Sequence, residues 1–556
     1  MEYLYIFIVL VILLLIKGFY DQKRHNEQVR LKLRKAWGKY PETEYSEEKR
    51  ASIKEYYLSK IDPKANIDDI TWNDLDMDRI YELINNTASS IGEEYLYDML
   101  RNLSFDKEEL KERGRVIDYF ATHPKEREDM QYAMSVFGKL DKISLFEYIN
   151  RTDDIEVKNP WMHYVYILMF FGALGLVFVN PGIGAICTFA VLANNIIRYN
   201  IAKANIFAYF NVFSYIIRMV EGVELVSKVE MKELENYTEE LKRRAKEFER
   251  FGRGASIVLG GNGAVSGFFD IIIDYVRMIF HIDLIKFNGM LSELRKHKEA
   301  LNRMYELIGF LDSCIAVASF REYVGTYCEP DLVATNKPFI EAKNLYHPLI
   351  EDPVKNSIHQ YQPVLITGSN ASGKSTFLRT VAINALLSQT IYTSLADSYR
   401  ASYYQIYSSM ALTDNLLGKE SYYMAEIKSL KRILDAMDSG APILCFVDEV
   451  LRGTNTVERI SASAEILKNI ARHNVLCMAA THDIELTTIL EDYYTNYHFQ
   501  EEVKDNDVLF DYKLYKGKAK SKNAIKLLSI IGYERSIIDA ANKRANTFLE
   551  TGEWTK

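Results

Sequence analysis

Gly368-Ser369-Asn370-Ala371-Ser372-Gly373-Lys374-Ser375 has the residue types and spacing that wrap a phosphate chain. Glycines let backbone N–H groups turn toward an anion, a lysine reaches the β- and γ-phosphates, and a serine hydroxyl can ligand Mg²⁺. Such a loop is meaningful only between a strand and a helix. Here Val364-Leu365-Ile366 precedes it and a helical pattern opens at Thr376. A second apolar run, Ile443 to Val447, ends in Asp448-Glu449. An aspartate at that strand end can hold Mg²⁺, and the next glutamate can polarise an attacking water. The same acids could open a solvated loop, and the phosphate loop upstream decides for chemistry. A third run ends in Ala479-Ala480-Thr481-His482, which puts His482 on the same sheet edge as a sensor of the γ-phosphate.

These runs alternate with helical stretches, Ser375 to Leu387 and Ile460 to Ala471, so a mainly parallel sheet covered by helices is expected from about residue 330. Before it, residues 68–160 and 198–329 carry apolar residues at three- and four-residue spacing, as in Leu96, Met99, Leu100 and Leu103. Glu230 to Arg253 is expected to form a long solvated helix. The predicted class is therefore α followed by α/β.

Apolar residues make up 48% of the 556 and charged residues 26%, which excludes extended disorder and a wholly membrane-embedded chain. With 68 basic and 76 acidic residues the net charge is −8, so there is no chain-wide field for nucleic acid. The five cysteines form no CxxC pair and read as reduced thiols of a cytosolic body.

Tyr3 to Tyr20 gives 18 residues of apolar character if Lys17 snorkels, against the ~20 that span a bilayer. Its basic flank, Lys23 to Lys35, follows rather than precedes it. That order reads as a signal-anchor over residues 1–21, N-terminus outside, with a cytoplasmic linker or helix over 22–67. Trp161 to Val179 and Ile183 to Ile197, joined by Asn180-Pro181-Gly182, read as a transmembrane hairpin over 161–197 with both ends inside. Asn194 and Asn195 leave open a buried hairpin in a soluble core. The expected location is the plasma membrane, multi-pass, with the bulk cytoplasmic. Ile257 to Phe287 is interrupted by Asp270, Asp274, Arg277 and Asp283 and suits a long amphipathic helix better.

From these motifs in order, the chain resembles the MutS family of ABC-like ATPases, known from DNA mismatch repair. The resemblance rests on Tyr346-His347-Pro348 with Asn356, on Thr367 to Thr376, on Asp414 through Glu426 with Ser421, on Asp448 to Thr456, and on Thr481-His482. Tyr512 to Gly517, Asn523-Ala524 and Leu527 to Gly532 look like the family's closing segment. A weaker likeness to the family's core domain lies in Thr71 to Leu75, Asn85-Asn86-Thr87 with Gly92, and Arg113. The resemblance implies a MutS-type ABC ATPase domain over 330–556, with a helical dimerisation segment at its end, and ATP and Mg²⁺ as ligands. It implies that His347 packs near the adenine and Asn356 orders that pocket. Gly368, Ser369, Asn370, Ala371, Ser372, Gly373, Lys374, Ser375 and Thr376 would hold nucleotide. Ser375 and Asp448 would hold Mg²⁺, and Glu449, Lys374 and His482 would act in hydrolysis. Ser421 would reach the γ-phosphate on a second copy, which requires a homodimer with composite sites.

Several positions depart from the family pattern. Ala371 and Ser372 replace Met and Gly, but those positions offer backbone N–H groups. Leu451 replaces a Gly and Asn455 a Ser, which bears on communication between subunits. Residues 22–67 are too short for the family's mismatch-reading domain, so classical mismatch recognition is expected to be lost. The lysines at 513, 516, 518, 520, 522 and 526 read as a solvated loop before a phosphate-backbone patch. The expected activity is that of a membrane-anchored ATPase driving a helical core and acting on DNA. The alternative is an ATP-driven switch on a membrane or protein partner with no DNA role.

Overall fold

The structure, a computed structural model, describes residues 2–60, 66–140, 144–151, 161–248, 275–369, 371–410, 422–451, 454–504, 507–519 and 532–552, with 525, 528 and 554. Asn370, Ser421, Arg452, Gly453 and the lysines at 520, 522 and 526 lie outside the described residues, as does 251–274. The chain divides into two compact units.

The first unit comprises Met1–Ile61, Ile84–Asp98 and Val116–Tyr323, and its described residues form helices joined by turns and coil, with no strand. Its core holds aromatic residues at close range, with Tyr56 4.8 Å from Phe146 and 4.9 Å from Tyr305 between ring centroids. Beside them the Glu94 carboxyl is fully buried. Ser144 Oγ (2.9 Å), Tyr305 OH (2.9 Å) and Leu145 N (3.2 Å) donate to it. Asp312 is also buried and accepts from Ala88 N, Ser89 N and Ser89 Oγ. That contact explains Gly92: a Cβ there would lie 2.2 Å from Asp312 Oδ2.

The amino-terminal helix runs from Glu2 to Ala36. Two helices among the described residues, Trp161–Val179 and Pro181–Ala204, are long and apolar enough to cross a membrane. In Trp161–Val179 only Ala173 is buried. The second arm does not stop at residue 197, because Pro181–Val226 is one continuous helix. No Pro or Gly falls between Gly184 and Gly222, so nothing there breaks it. The amphipathic helix expected to end at Phe287 is interrupted instead. Residues 275–280 are helical, His281 takes a left-handed φ of 50°, and Ile282–Lys296 begins afresh. The solvated helix after Glu230 is limited to Glu235–Lys246 among the described residues.

The second unit comprises Asp62–Leu83, Met99–Arg115 and Val324–Lys556. It contains ten described strands: β1 Asp331–Val333, β2 Ile340–Leu345, β3 Asn356–Gln360, β4 Val364–Thr367, β5 Ser398–Ser402, β6 Gln405–Ser409, β7 Ile443–Asp448, β8 Val475–Thr481, β9 Thr495–Lys504 and β10 Asp507–Lys516. They form not one sheet but two, a four-stranded sheet ordered β1-β5-β2-β3 and a six-stranded sheet ordered β10-β9-β4-β8-β7-β6. The six-stranded sheet is parallel except for the β9–β10 edge pair. In the smaller sheet β2 runs antiparallel to both neighbours. The strands that the sequence marks are the ones buried on both faces, β4, β7 and β8. Apolar runs of that kind are the legible ones; half-exposed strands are not.

Segments from well before residue 330 belong to this second unit. Thr71 Oγ1 accepts from Ser408 N at 3.1 Å, and Asp74 accepts from Ser408 Oγ (2.6 Å) and Met410 N (2.9 Å) at the end of β6. Arg113 donates to the Thr390 carbonyl.

Candidate nucleotide site

Three parallel strands end side by side. Thr367 on β4 is the register partner of Thr481 on β8, and Asp448 on β7 is the partner of Ala480. The turn after each carboxyl end therefore opens on one edge of the sheet, where ligands of parallel α/β sheets bind. After β4 the chain makes the loop 368–373 and enters the helix Lys374–Thr390, with Gly368 at φ 154° and Gly373 at φ 105°. Ala371 is left-handed at φ 64°. A non-glycine residue held there marks a loop shaped for a purpose.

Lys374 is 5% exposed, and its ammonium donates to the Gly368 and Ser369 carbonyls at 2.8 Å each. The same nitrogen lies 3.4 Å from His482 Nε2. His482 Nε2 in turn sits 2.9 Å from Glu449 Oε1. A carboxylate only accepts, so the Nε2 proton points to Glu449, and the lysine contact is proximity rather than a hydrogen bond. Ser369 donates its hydroxyl to Glu501 on β9. The His482 turn is fixed from behind by Arg459, which pairs with both oxygens of Asp483 at 2.9 and 2.6 Å.

Lys374, Asp448, Glu449 and His482, named from sequence, thus converge. Ser375 and Thr376 lie in the first turn of the loop's helix and Ser372 is buried inside the loop. A serine hydroxyl and the Asp448 carboxylate are the hard oxygen donors that Mg²⁺ takes, so the residues present fit that ion.

Beside the loop is a cavity of about 410 Å³ whose lining includes His347, Val354, Asn356, Thr376, Phe377, Phe499 and Tyr512. That size and its aromatic walls suit a planar heterocycle. His347 is pushed down to about 4, by burial first and by the nearby Arg379 charge second, so its ring is neutral at pH 7. Its Nδ1 accepts from Leu349 N at 3.2 Å. Asn356 lines the cavity and engages backbone with its amide. It donates to the Tyr512 carbonyl at 2.9 Å and accepts from Leu514 N at 2.8 Å, pinning the irregular part of β10 that brings Tyr512 to the cavity.

The sequence missed Phe377, which reads as one more apolar residue of the helix Lys374–Thr390, and Phe499, because strand β9 carries little apolar alternation. It also missed what Asn455 does. This residue caps the helix Thr456–Ala471, accepting from Val457 N at 2.9 Å, a task that Asn and Ser share. Leu451 is 4% exposed at φ 61°, a conformation glycine takes freely.

Residues 364–549 match the family described as MutS domain V. MutS protein homolog 4 of Homo sapiens is 28% identical over 266 residues, 45% of this chain and 28% of that protein. DNA mismatch repair protein MSH3 of Debaryomyces hansenii is 26% identical over 334 residues, 54% of this chain and 32% of its own. DNA mismatch repair protein MutS of Thermotoga maritima is 27% identical over 265 residues, 46% and 33% of the two chains. The chain spans about a third of the length of these curated relatives. That match lies over the strands, loop and helices that build the site, so this part of the chain is similar to the ATPase domain of the MutS family.

Proposed function

We propose that this protein is a membrane-anchored ATPase of MutS type, working with Mg²⁺ in a homodimer whose composite sites are completed by Ser421 of the second copy. The observation that carries the ATPase proposal is the convergence of Lys374, Glu449 and His482 at one sheet edge, with His482 Nε2 2.9 Å from the Glu449 carboxylate.

The base enters the cavity between His347 and Tyr512 and the phosphates enter the loop. Lys374 exchanges the Gly368 and Ser369 carbonyls for phosphate oxygens, a stronger charge-assisted pairing. Ser375 and Asp448 would hold Mg²⁺, which would supply charge neutralisation on the phosphates. Glu449 then orients and polarises the attacking water, and His482 holds the carboxylate in place until the phosphate is there. Hydrolysis resets the dimer and moves the helical core.

The proposed location is the plasma membrane, with the N-terminus outside and the bulk cytoplasmic. The helices Trp161–Val179 and Pro181–Ala204 support it. DNA is the proposed target because the relatives named for DNA mismatch repair share the matched domain. A second proposal, a switch acting on a membrane or protein partner, is favoured by one observation. Lys518, in the basic cluster, is committed to Glu491 at 2.8 Å and Thr488 at 3.1 Å rather than presented to a phosphate backbone.

The test is ATP hydrolysis by detergent-purified full-length protein with and without duplex, mismatched or branched DNA, beside a Glu449→Gln control. Turnover absent from the control and stimulated by one DNA form supports the DNA-acting ATPase. Turnover indifferent to every DNA supports the switch. Equal turnover in the control sinks the assignment of Glu449.

A further inference from the structure

We infer that Glu426, on the helix Tyr422–Ala436, is a positioning residue for the hydrolytic glutamate; this rests on the ATPase proposal above. Glu449 and Leu451 both take left-handed backbone, at φ 60° and 61°, without being glycine. L residues persist there only when their surroundings over-determine them.

Three successive residues are each anchored by a different element. Glu449 N donates to the Ala480 carbonyl on β8 at 2.9 Å. The Val450 carbonyl accepts from Ser463 Oγ, on the helix Thr456–Ala471, at 3.2 Å. Leu451 N donates to Glu426 Oε1.

The third anchor differs from the others because it is a carboxylate, 3% exposed, on a helix whose Leu430 and Ile433 pack in the same apolar cluster as Val450 and Leu451. A carboxyl group is costly there unless it accepts hydrogen bonds, and the Leu451 N–H is one that it accepts. By fixing Leu451 N, Glu426 closes the turn whose first residue aims Glu449 at His482. Glu426 is not part of the cavity lining and its carboxylate holds the Leu451 N–H, so it acts through the backbone next to Glu449 and not on substrate. Displacing a catalytic group by about 1 Å can lower a rate on the order of a hundredfold while leaving binding intact.

The experiment compares full-length wild type, Glu426→Ala and Glu426→Gln in ATP hydrolysis across ATP concentrations, with hydrogen–deuterium exchange of the peptide spanning 449–451. The alanine variant is expected to lose roughly ten- to a hundredfold in kcat, with KM within about twofold, and to exchange the Leu451 amide faster. The glutamine variant keeps an oxygen that accepts the same N–H and restores both. Unchanged kcat and exchange in the alanine variant overturns the inference. So does a loss of kcat that glutamine fails to rescue, or faster exchange spread over the whole second unit. A wild type without ATP turnover would sink the ATPase proposal instead, and the exchange comparison would still decide the Leu451 anchor.

Discussion

Lys374 illustrates how one buried ammonium can serve both loop carbonyls and a phosphate. Its ammonium is buried and bonded to the Gly368 and Ser369 carbonyls, at the position where phosphate oxygens would replace them. Lys374→Ala is expected to weaken ATP binding by roughly a hundredfold or more, read with a fluorescent nucleotide. Leu451 sets two effects against each other. Glycine would relieve about 1 kcal/mol of left-handed strain, but removing the buried side chain costs about 3 kcal/mol. Leu451→Gly should therefore lower stability by about 2 kcal/mol net, measured as a shift in denaturant midpoint. His347 carries a pH signature. Its folded value, about 4, lies below the unfolded 6.5, so the unfolded chain binds more protons in that window. Stability falls as pH drops from 6.5 toward 4, and His347→Gln should flatten that limb in urea titrations at pH 7 and 4.5.

Among elements, the helix Thr456–Ala471 is placed by its cap at Asn455 and by the Arg459–Asp483 pair that braces the His482 turn. Asn455→Ala should cost about 1 kcal/mol and Asn455→Ser almost nothing, by thermal melting. In the helical unit, Glu94 bonds Tyr305 of the helix Lys298–Val324 and the start of the helix Leu145–Arg151 through Ser144 and Leu145. Burial raises it from 4.5 to about 8. The folded state then binds more protons than the unfolded between those values, and stability is lost as pH rises from 4.5 to 8. This slope is opposite in sign to that of His347. Glu94→Gln should remove it, seen as melting temperatures that no longer fall across that range.

For the whole molecule, the decisive question is whether the hairpin lies in lipid. Cys187 stands on Pro181–Ala204 and is half-buried, whereas Cys314, Cys445 and Cys477 are buried. Cys328 is half-buried as well, so in sealed vesicles of a Cys328→Ser protein Cys187 should resist a membrane-impermeant maleimide and react once detergent is added. Labelling in intact vesicles would place the hairpin outside the bilayer.

Sequence alone determined the strand ends that carry chemistry. β4, β7 and β8 are buried on both faces, so each is a continuous apolar run, and the residues that follow them are forced onto one sheet edge. Glycine spacing in 368–373 and the order of motifs did the rest, since these are local constraints a linear text can hold. What tertiary structure decided is what depends on distant partners. Half-exposed strands gathered into a second sheet, because their pairing stabilises them more than any pattern of their own. Thr71, Asp74 and Arg113 joined the sheet-bearing unit through hydrogen bonds to Ser408, Met410 and Thr390. The cavity drew Phe499 and Tyr512 from an irregular edge pair pinned by Asn356. Glu426 met Leu451 across 25 residues. Each of these is a long-range contact, and its partner is chosen by packing rather than by neighbours in the chain.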